Sequence, residues 1–323
     1  MPLAECMIYV VGKNPKLQST TRTDHLQLID GLITELFTPR GMTVASLTPG
    51  LIDNFIESVE HADLSVTTQN DCIRLLNTCL RYALRKDHIA KNQVDKADRP
   101  AKGKSRAQFY TKRETGKLPE CAKGEEIYIP VMLALFYGLR RSEVCGLPRD
   151  SIDRENDRIR IDRNAYCDVL REGKPIVITD EIKAESSVRT LPLIPFVKEE
   201  LLAHRERQEY YRKMFRSDYS KKCLGCVCVD PTGNLIVPDK LTHKFNCLLK
   251  SHSLRHIRFH VLRHSCASLL VASGIPLKMV QLYMSHSNYS TTADIYAHLN
   301  PEVPDASAAC AENLLPPRRQ RAA

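Results

Sequence analysis

The chain has 323 residues, of which 43% are hydrophobic and 26% charged, the make-up of an ordinary soluble protein long enough for two domains with a core each. A formal charge of +9 and a pI near 8.9 favour a polyanionic partner, either nucleic acid or an acidic membrane surface. No apolar run approaches a membrane span, and Glu5 and Asn14 break up the N-terminus where a signal peptide needs its apolar stretch, so a cytoplasmic protein is expected.

Residues 1–13 form a short N-terminal segment. From Thr21 to Glu60 the apolar positions Leu26, Ile29, Leu32, Ile33 and Leu36, then Leu51, Ile52, Phe55, Ile56 and Val59, recur at helical spacing. The breaker-rich Thr38-Pro39-Arg40-Gly41 divides them into two helices. A third helix runs from about Thr67 to Lys86, with Ile73, Leu76, Leu80 and Leu84 as its apolar stripe and Arg74, Arg81 and Arg85 as a basic one. That basic stripe reads equally as a solvated face or as a grip on a phosphate backbone.

Between Lys91 and Arg113 the chain turns polar and basic, with Lys96, Arg99, Lys102, Lys104 and Arg106, and reads as an interdomain linker. The second domain opens near Phe109. Ile127 to Phe136 is an apolar helix that Gly138 interrupts before a short continuation through Val144 and Leu147. Three strand-like runs follow, Arg158 to Asp162, Pro175 to Thr179 and Val188 to Leu193, giving one small antiparallel sheet, with Lys183 in the connection between the second and third.

The 12 cysteines are mostly scattered through apolar helical stretches, the pattern of small buried hydrophobes in a reducing compartment. One cluster, Cys223, Cys226 and Cys228 with His243 and Cys247 downstream, has spacing that suits zinc, but Cys226 to Asp230 running into Pro231-Thr232-Gly233-Asn234 reads better as a strand entering a turn. Val261 to Ala272 is helical and stops at Gly274, and Pro276 opens the next helix. Ser290-Thr291-Thr292 supplies N-cap chemistry for a last helix with Ile295, Tyr296 and Leu299. His260 and Arg263, three apart at a helix start, share a face.

Five pieces in this order are distinctive: Tyr137-Gly138-Leu139-Arg140-Arg141-Ser142-Glu143; Lys183 with Ser187-Val188-Arg189-Thr190-Leu191-Pro192-Leu193; His260-Val261-Leu262-Arg263-His264; His286; and Tyr296-Ala297-His298. With them the chain resembles the tyrosine recombinases, also called the phage integrase family, from about Asn14 to Pro301, and is similar to integrases of temperate phages and conjugative transposons. The resemblance implies a mainly α protein with a small antiparallel sheet. A SAM-like helical core DNA-binding domain would span residues 14–99, without an arm-binding domain before it, and residues 100–108 would form a basic linker. A mixed α+β DNA breaking-rejoining catalytic domain would span 109–300, and 301–323 would be a tail packing on a neighbouring protomer.

The same resemblance implies roles. Arg140 and Arg263 match the arginines that hold the scissile phosphate, Lys183 the lysine on the sheet's connecting turn, His260 and His286 the two histidines, and Tyr296 the nucleophile. Glu143 falls where the family places a supporting acidic residue. The chemistry suits these residue types: guanidiniums stabilise charge on nonbridging oxygens without a cofactor or metal, a phenol with pKa near 10 needs help to attack, His260 can accept its proton or hydrogen-bond the phosphate, and Lys183 can protonate the departing 5' oxygen. The implied partners are double-stranded attachment sites, three further copies of the chain in a homotetramer that exchanges strands through a four-way junction, and an accessory bending or directionality factor.

Two positions depart from the family pattern. Val261 stands where an aspartate commonly follows the first histidine, and Met284-Ser285 where Leu-Gly commonly precedes His286. They keep open an alternative, an accessory DNA-binding protein with weak or lost cleavage. A zinc-dependent binding module is a third reading. His264 and His298 are taken as structural.

Overall fold

The computed structural model describes residues 2–34 apart from 16 and 18, then 41–61, 64–92, 94, 109–167, 176–179, 188–286, 289, 292 and 293. The proposed linker at 100–108, Lys183, Tyr296 and the tail at 301–323 lie outside the described residues. What is described falls into two compact units, one within residues 2–94 and the other within 109–293.

The first unit is helical. α1 (Leu3–Lys13) was not evident from periodicity, yet it buries Leu3, Cys6, Met7 and Val11 in the unit's core. α2 (Ser19–Leu28) continues without a break into a π-helical turn, Ile29–Ile33, whose Ile29 and Ile33 are buried. α3 (Pro49–His61) and α4 (Val66–Arg85) fall where the sequence places its helices. Ser65 caps α4 by accepting from the Thr68 N–H at 3.2 Å, which satisfies one of the orphan donors at a helix start. The buried face of α4 is Cys72, Ile73, Leu76, Cys79, Leu80 and Ala83, while Leu84 is exposed rather than part of the stripe. Arg74, Arg81 and Arg85 are exposed along the opposite side, and Arg74 pairs with Asp71 at 2.6 Å.

The second unit wraps helices around one buried helix. α5 (Lys112–Ala122) starts at a capping box formed by Thr111 and Glu114. α6 (Tyr128–Tyr137) is buried almost all round, as its unbroken apolar sequence requires, and ends at Gly138 in the left-handed conformation. α7 (Arg141–Gly146) follows at once.

The strands form two ladders instead of the single sheet expected. β1 (Ile152–Asp153), β2 (Arg158–Ile161) and β5 (Arg189–Pro192) make one antiparallel sheet in the order β1-β2-β5. β3 (Asn164–Cys167) and β4 (Ile176–Thr179) pair separately, with Ala165 opposite Ile178. The second expected strand therefore has a partner, β3, that the sequence reading did not anticipate. In the first sheet Ile159 faces Leu191 and Ile161 faces Arg189, so the strand alternation puts Arg189 on the core side.

α8 (Pro195–Phe215), α9 (Pro238–Ser251), α10 (Val261–Ala272) and α11 (Leu277–Met284) complete the unit. Cys226 to Asp230 does run into a turn, but it is held by isolated bridges, Pro148 to Cys226 and Val229 to Leu235, and not by a full strand. Cys226 and Cys228 belong to the apolar core. Burial and neighbouring Cys223 push the Cys226 thiol up to about 11, and burial pushes Cys228 well up, so both are neutral thiols packed in the core. Among the described residues no group of three metal-binding side chains is gathered, and no helix is long and apolar enough to cross a membrane.

α7 lies directly on β3. A Cβ at Gly146 would stand 2.6 Å from both the Ala165 nitrogen and the Asn164 carbonyl carbon, backbone atoms that have no room to give. Gly146→Ala is expected to lower stability by about 1–3 kcal/mol in urea unfolding, the usual cost of overpacking.

Candidate active site

Four of the six expected site residues lie in the described part of the second unit, and the fold brings them together from three stretches of chain. Arg140 sits at the N-terminus of α7, just past the turn that Gly138 makes with φ of 58°. His260 and Arg263 stand at the start of α10, and His286 follows the end of α11.

Glu143 is the anchor. It is 1% exposed, and its carboxylate accepts from the Arg140 guanidinium at 2.5 Å, the Arg140 backbone N–H at 2.9 Å and the Arg189 guanidinium at 3.1 and 3.4 Å. Burial alone would raise the carboxyl's pKa, but Arg189 and then Arg140 outweigh it and hold it at about 2. Arg140 also donates to the Ser285 carbonyl at 2.8 Å, and its side chain remains 32% exposed. It is fixed on one side and open to a ligand on the other.

Arg263 is only 2% exposed and has no carboxylate partner among the described residues; it donates to the Gly138 carbonyl at 2.6 Å and to the Met284 carbonyl. Both acceptors terminate helices, α6 and α11, where unsatisfied carbonyls carry partial negative charge. Those neutral acceptors orient the guanidinium without cancelling its charge. Burial and Arg140 push its pKa down to about 9, still cationic at neutral pH.

The histidines respond to the same field. Burial, His264, Arg263 and Arg140 push His260 down to about 4, and burial, Arg263 and Arg140 push His286 down to about 3. Both are therefore neutral imidazoles at neutral pH, each with one N–H to give and one lone pair to accept. The His260 and His264 rings meet edge to face, 4.9 Å apart at 88°. His286 Nδ1 lies 2.9 Å from the Thr292 hydroxyl.

The pocket so built carries excess positive charge around groups that can donate hydrogen bonds. Its best ligand is a phosphodiester in which negative charge grows on nonbridging oxygens. Arg189, Thr292 and the three carbonyls were not picked out from the sequence. Arg189 had a signal, since it shares the inward face of a strand with Leu191 and lies within the second distinctive stretch, but its partner Glu143 is 46 residues away.

The model of the phage integrase family matches residues 109–302, more than half of the chain. The chain belongs to the phage integrase family. It is a tyrosine-type site-specific DNA recombinase. A tyrosine recombinase XerC-like protein of Caldanaerobacter subterraneus subsp. tengcongensis is 28% identical over 81% of this chain and 70% of that protein. The transposase from transposon Tn916 of Enterococcus faecalis is 26% identical over 91% of this chain and 73% of its own length. Among solved structures, the Tn1549 transposon integrase in complex with transposon right end DNA superposes with a TM-score of 0.80 at 20% identity, covering 97% of this chain and 99% of that one. The fold is thus that of the family's integrases, mainly helical with a small antiparallel sheet.

The departure at Ser285 has a visible cost. Ser285 adopts φ of 52° and ψ of 53°, the left-handed conformation in which a Cβ is crowded. The turn that aims His286 therefore forms despite the missing glycine. Ser285→Gly is expected to raise unfolding stability by up to about 1 kcal/mol, with DNA cleavage equal to or above that of the parent; a drop in both would show that the serine side chain contributes more than its backbone strain costs.

Proposed function

We propose that this recombinase integrates or excises a mobile element by cutting and rejoining strands through a 3'-phosphotyrosyl intermediate. The observation that carries the reading is the convergence of Arg140, Arg263, His260 and His286 on one cationic pocket fixed by Glu143. Arg140 and Arg263 hold the nonbridging oxygens of the scissile phosphate, and His286 donates to one of them. His260, neutral at working pH, accepts the proton of the Tyr296 phenol as that oxygen attacks phosphorus. The bond to the 5' oxygen breaks, and Lys183 returns a proton to it. The phosphodiester's energy is kept in the phosphotyrosyl bond, so a 5' hydroxyl from another duplex reverses the attack and joins strands without ATP.

The partners follow from that chemistry. Double-stranded attachment sites are the substrate, as DNA is bound in the solved Tn1549 integrase complex and in that of the lambda integrase dimer on a COC' core site. Residues 14–99 bind the core site, with the exposed Arg74, Arg81 and Arg85 row of α4 supplying phosphate contacts, residues 100–108 link, and residues 109–300 catalyse. Four copies act on two sites with an accessory bending or directionality factor. No cofactor is needed for the steps above.

The strained Ser285 turn favours one competing reading, an accessory DNA-binding protein with weak or lost cleavage. A nicked suicide substrate separates the two: when cleavage releases a short fragment, the covalent complex accumulates. The proposal predicts a denaturant-resistant protein–DNA adduct that Tyr296→Phe abolishes while DNA binding persists. Absence of the adduct on a substrate that the protein demonstrably binds would leave the accessory reading.

A further inference from the structure

His286 has two ring nitrogens, and the pocket constrains both. A phosphate oxygen only accepts hydrogen bonds, so a neutral His286 that serves it must carry its single proton on the nitrogen facing the phosphate. Nδ1 is engaged by Thr292 Oγ at 2.9 Å, which leaves Nε2 for the ligand. Nδ1 must then be the acceptor, and its partner must be able to donate. A threonine hydroxyl meets that requirement, and a backbone carbonyl at the same place would enforce the opposite tautomer.

We propose that Thr292 is a positioning residue for the recombinase reaction: its hydroxyl donates to His286 Nδ1 and so holds the Nε2–H tautomer aimed at the scissile phosphate. The inference rests on the reading of His286 as a phosphate donor and extends it to a residue without an assigned role. Thr292 is fully buried, so its hydroxyl is screened from competing water. The lowered pKa of His286, set by burial and then by Arg263 and Arg140, keeps the ring neutral, the state in which tautomer choice matters. Thr292 stands four residues before Tyr296 in sequence.

The test is a double-mutant cycle on single-turnover cleavage of the nicked substrate by the full chain, using Thr292→Val, Thr292→Ser, His286→Ala and Thr292→Val with His286→Ala. Thr292→Val keeps the shape and removes the donor, and it is expected to slow cleavage about tenfold or more, in the range seen when an outer hydrogen-bond partner of a functional histidine is lost. Thr292→Ser restores most of the rate, and Thr292→Val adds no further loss once His286 is alanine. Should valine unfold the chain, Thr292→Ala replaces it in the cycle. Nitrogen-15 spectra of the histidine rings report the tautomer directly, with His286 as Nε2–H in the parent and redistributed in Thr292→Val. The inference is overturned if Thr292→Val slows cleavage equally with and without His286, because Thr292 would then merely hold its own segment. It is overturned too if Thr292→Val cleaves at the parent rate while His286→Ala is slow. If His286→Ala itself cleaves at the parent rate, the phosphate-donor reading fails, and the inference fails with it.

Discussion

The bifurcated ion pair of Glu143 with Arg140 and Arg189 is the interaction on which the rest of the site depends. Among the described residues, three guanidiniums, Arg140, Arg189 and Arg263, crowd a largely buried region that holds this one carboxylate. Removing one partner from a buried charge pair typically costs about 3–5 kcal/mol because the remaining charge stays buried without compensation. Here the carboxylate offsets part of the positive charge and leaves the remainder in place. Burial first, and then that remaining positive charge, pulls the Arg263, His260 and His286 pKa values down. Among the described residues the site keeps excess positive charge, the complement of the phosphodiester proposed as its ligand.

Backbone carbonyls do the orienting that carboxylates would do at the expense of charge. Arg263 draws on the ends of α6 and α11, and Arg140 draws on the Ser285 carbonyl, so both arginines are stitched to the turns that follow those helices. Each turn needs a left-handed residue, Gly138 in one and Ser285 in the other. A Cβ at Gly138 would also press on the Met284 side chain, so the two turns are packed against each other as well as bridged by Arg263. The loss of glycine at 285 is therefore tolerated by a turn whose carbonyls are already in use.

The helices were legible because burial imposes a 3.6-residue period that local sequence records, and Val261–Ala272 falls where periodicity, Gly274 and Pro276 placed it. α1 was not legible: with an apolar run as short as Met7 to Val11 beside Glu5, its burial depends on a groove made by later helices. The ladders were half legible. β2, β4 and β5 showed in the sequence, but β3, Asn164–Cys167, has no alternation of its own and exists because β4 pairs with it. Arg140, His260, Arg263 and His286 were singled out by order and spacing and lie near one another in the fold, whereas Arg189 and Thr292 contact partners that only the fold brings near. Lys183 and Tyr296 remain assigned by sequence.

The central claim is that the Glu143 carboxylate holds Arg140 in place for the phosphate. Glu143→Gln keeps the shape and removes the charge, so the measurement that tests the claim most directly is its single-turnover cleavage rate on a nicked attachment site, corrected for the folded fraction at the assay temperature. The account predicts a fall of at least about tenfold, equivalent to about 1.4 kcal/mol of lost transition-state stabilisation, with DNA affinity changed much less. A folded Glu143→Gln protein that cleaves at the parent rate would contradict it.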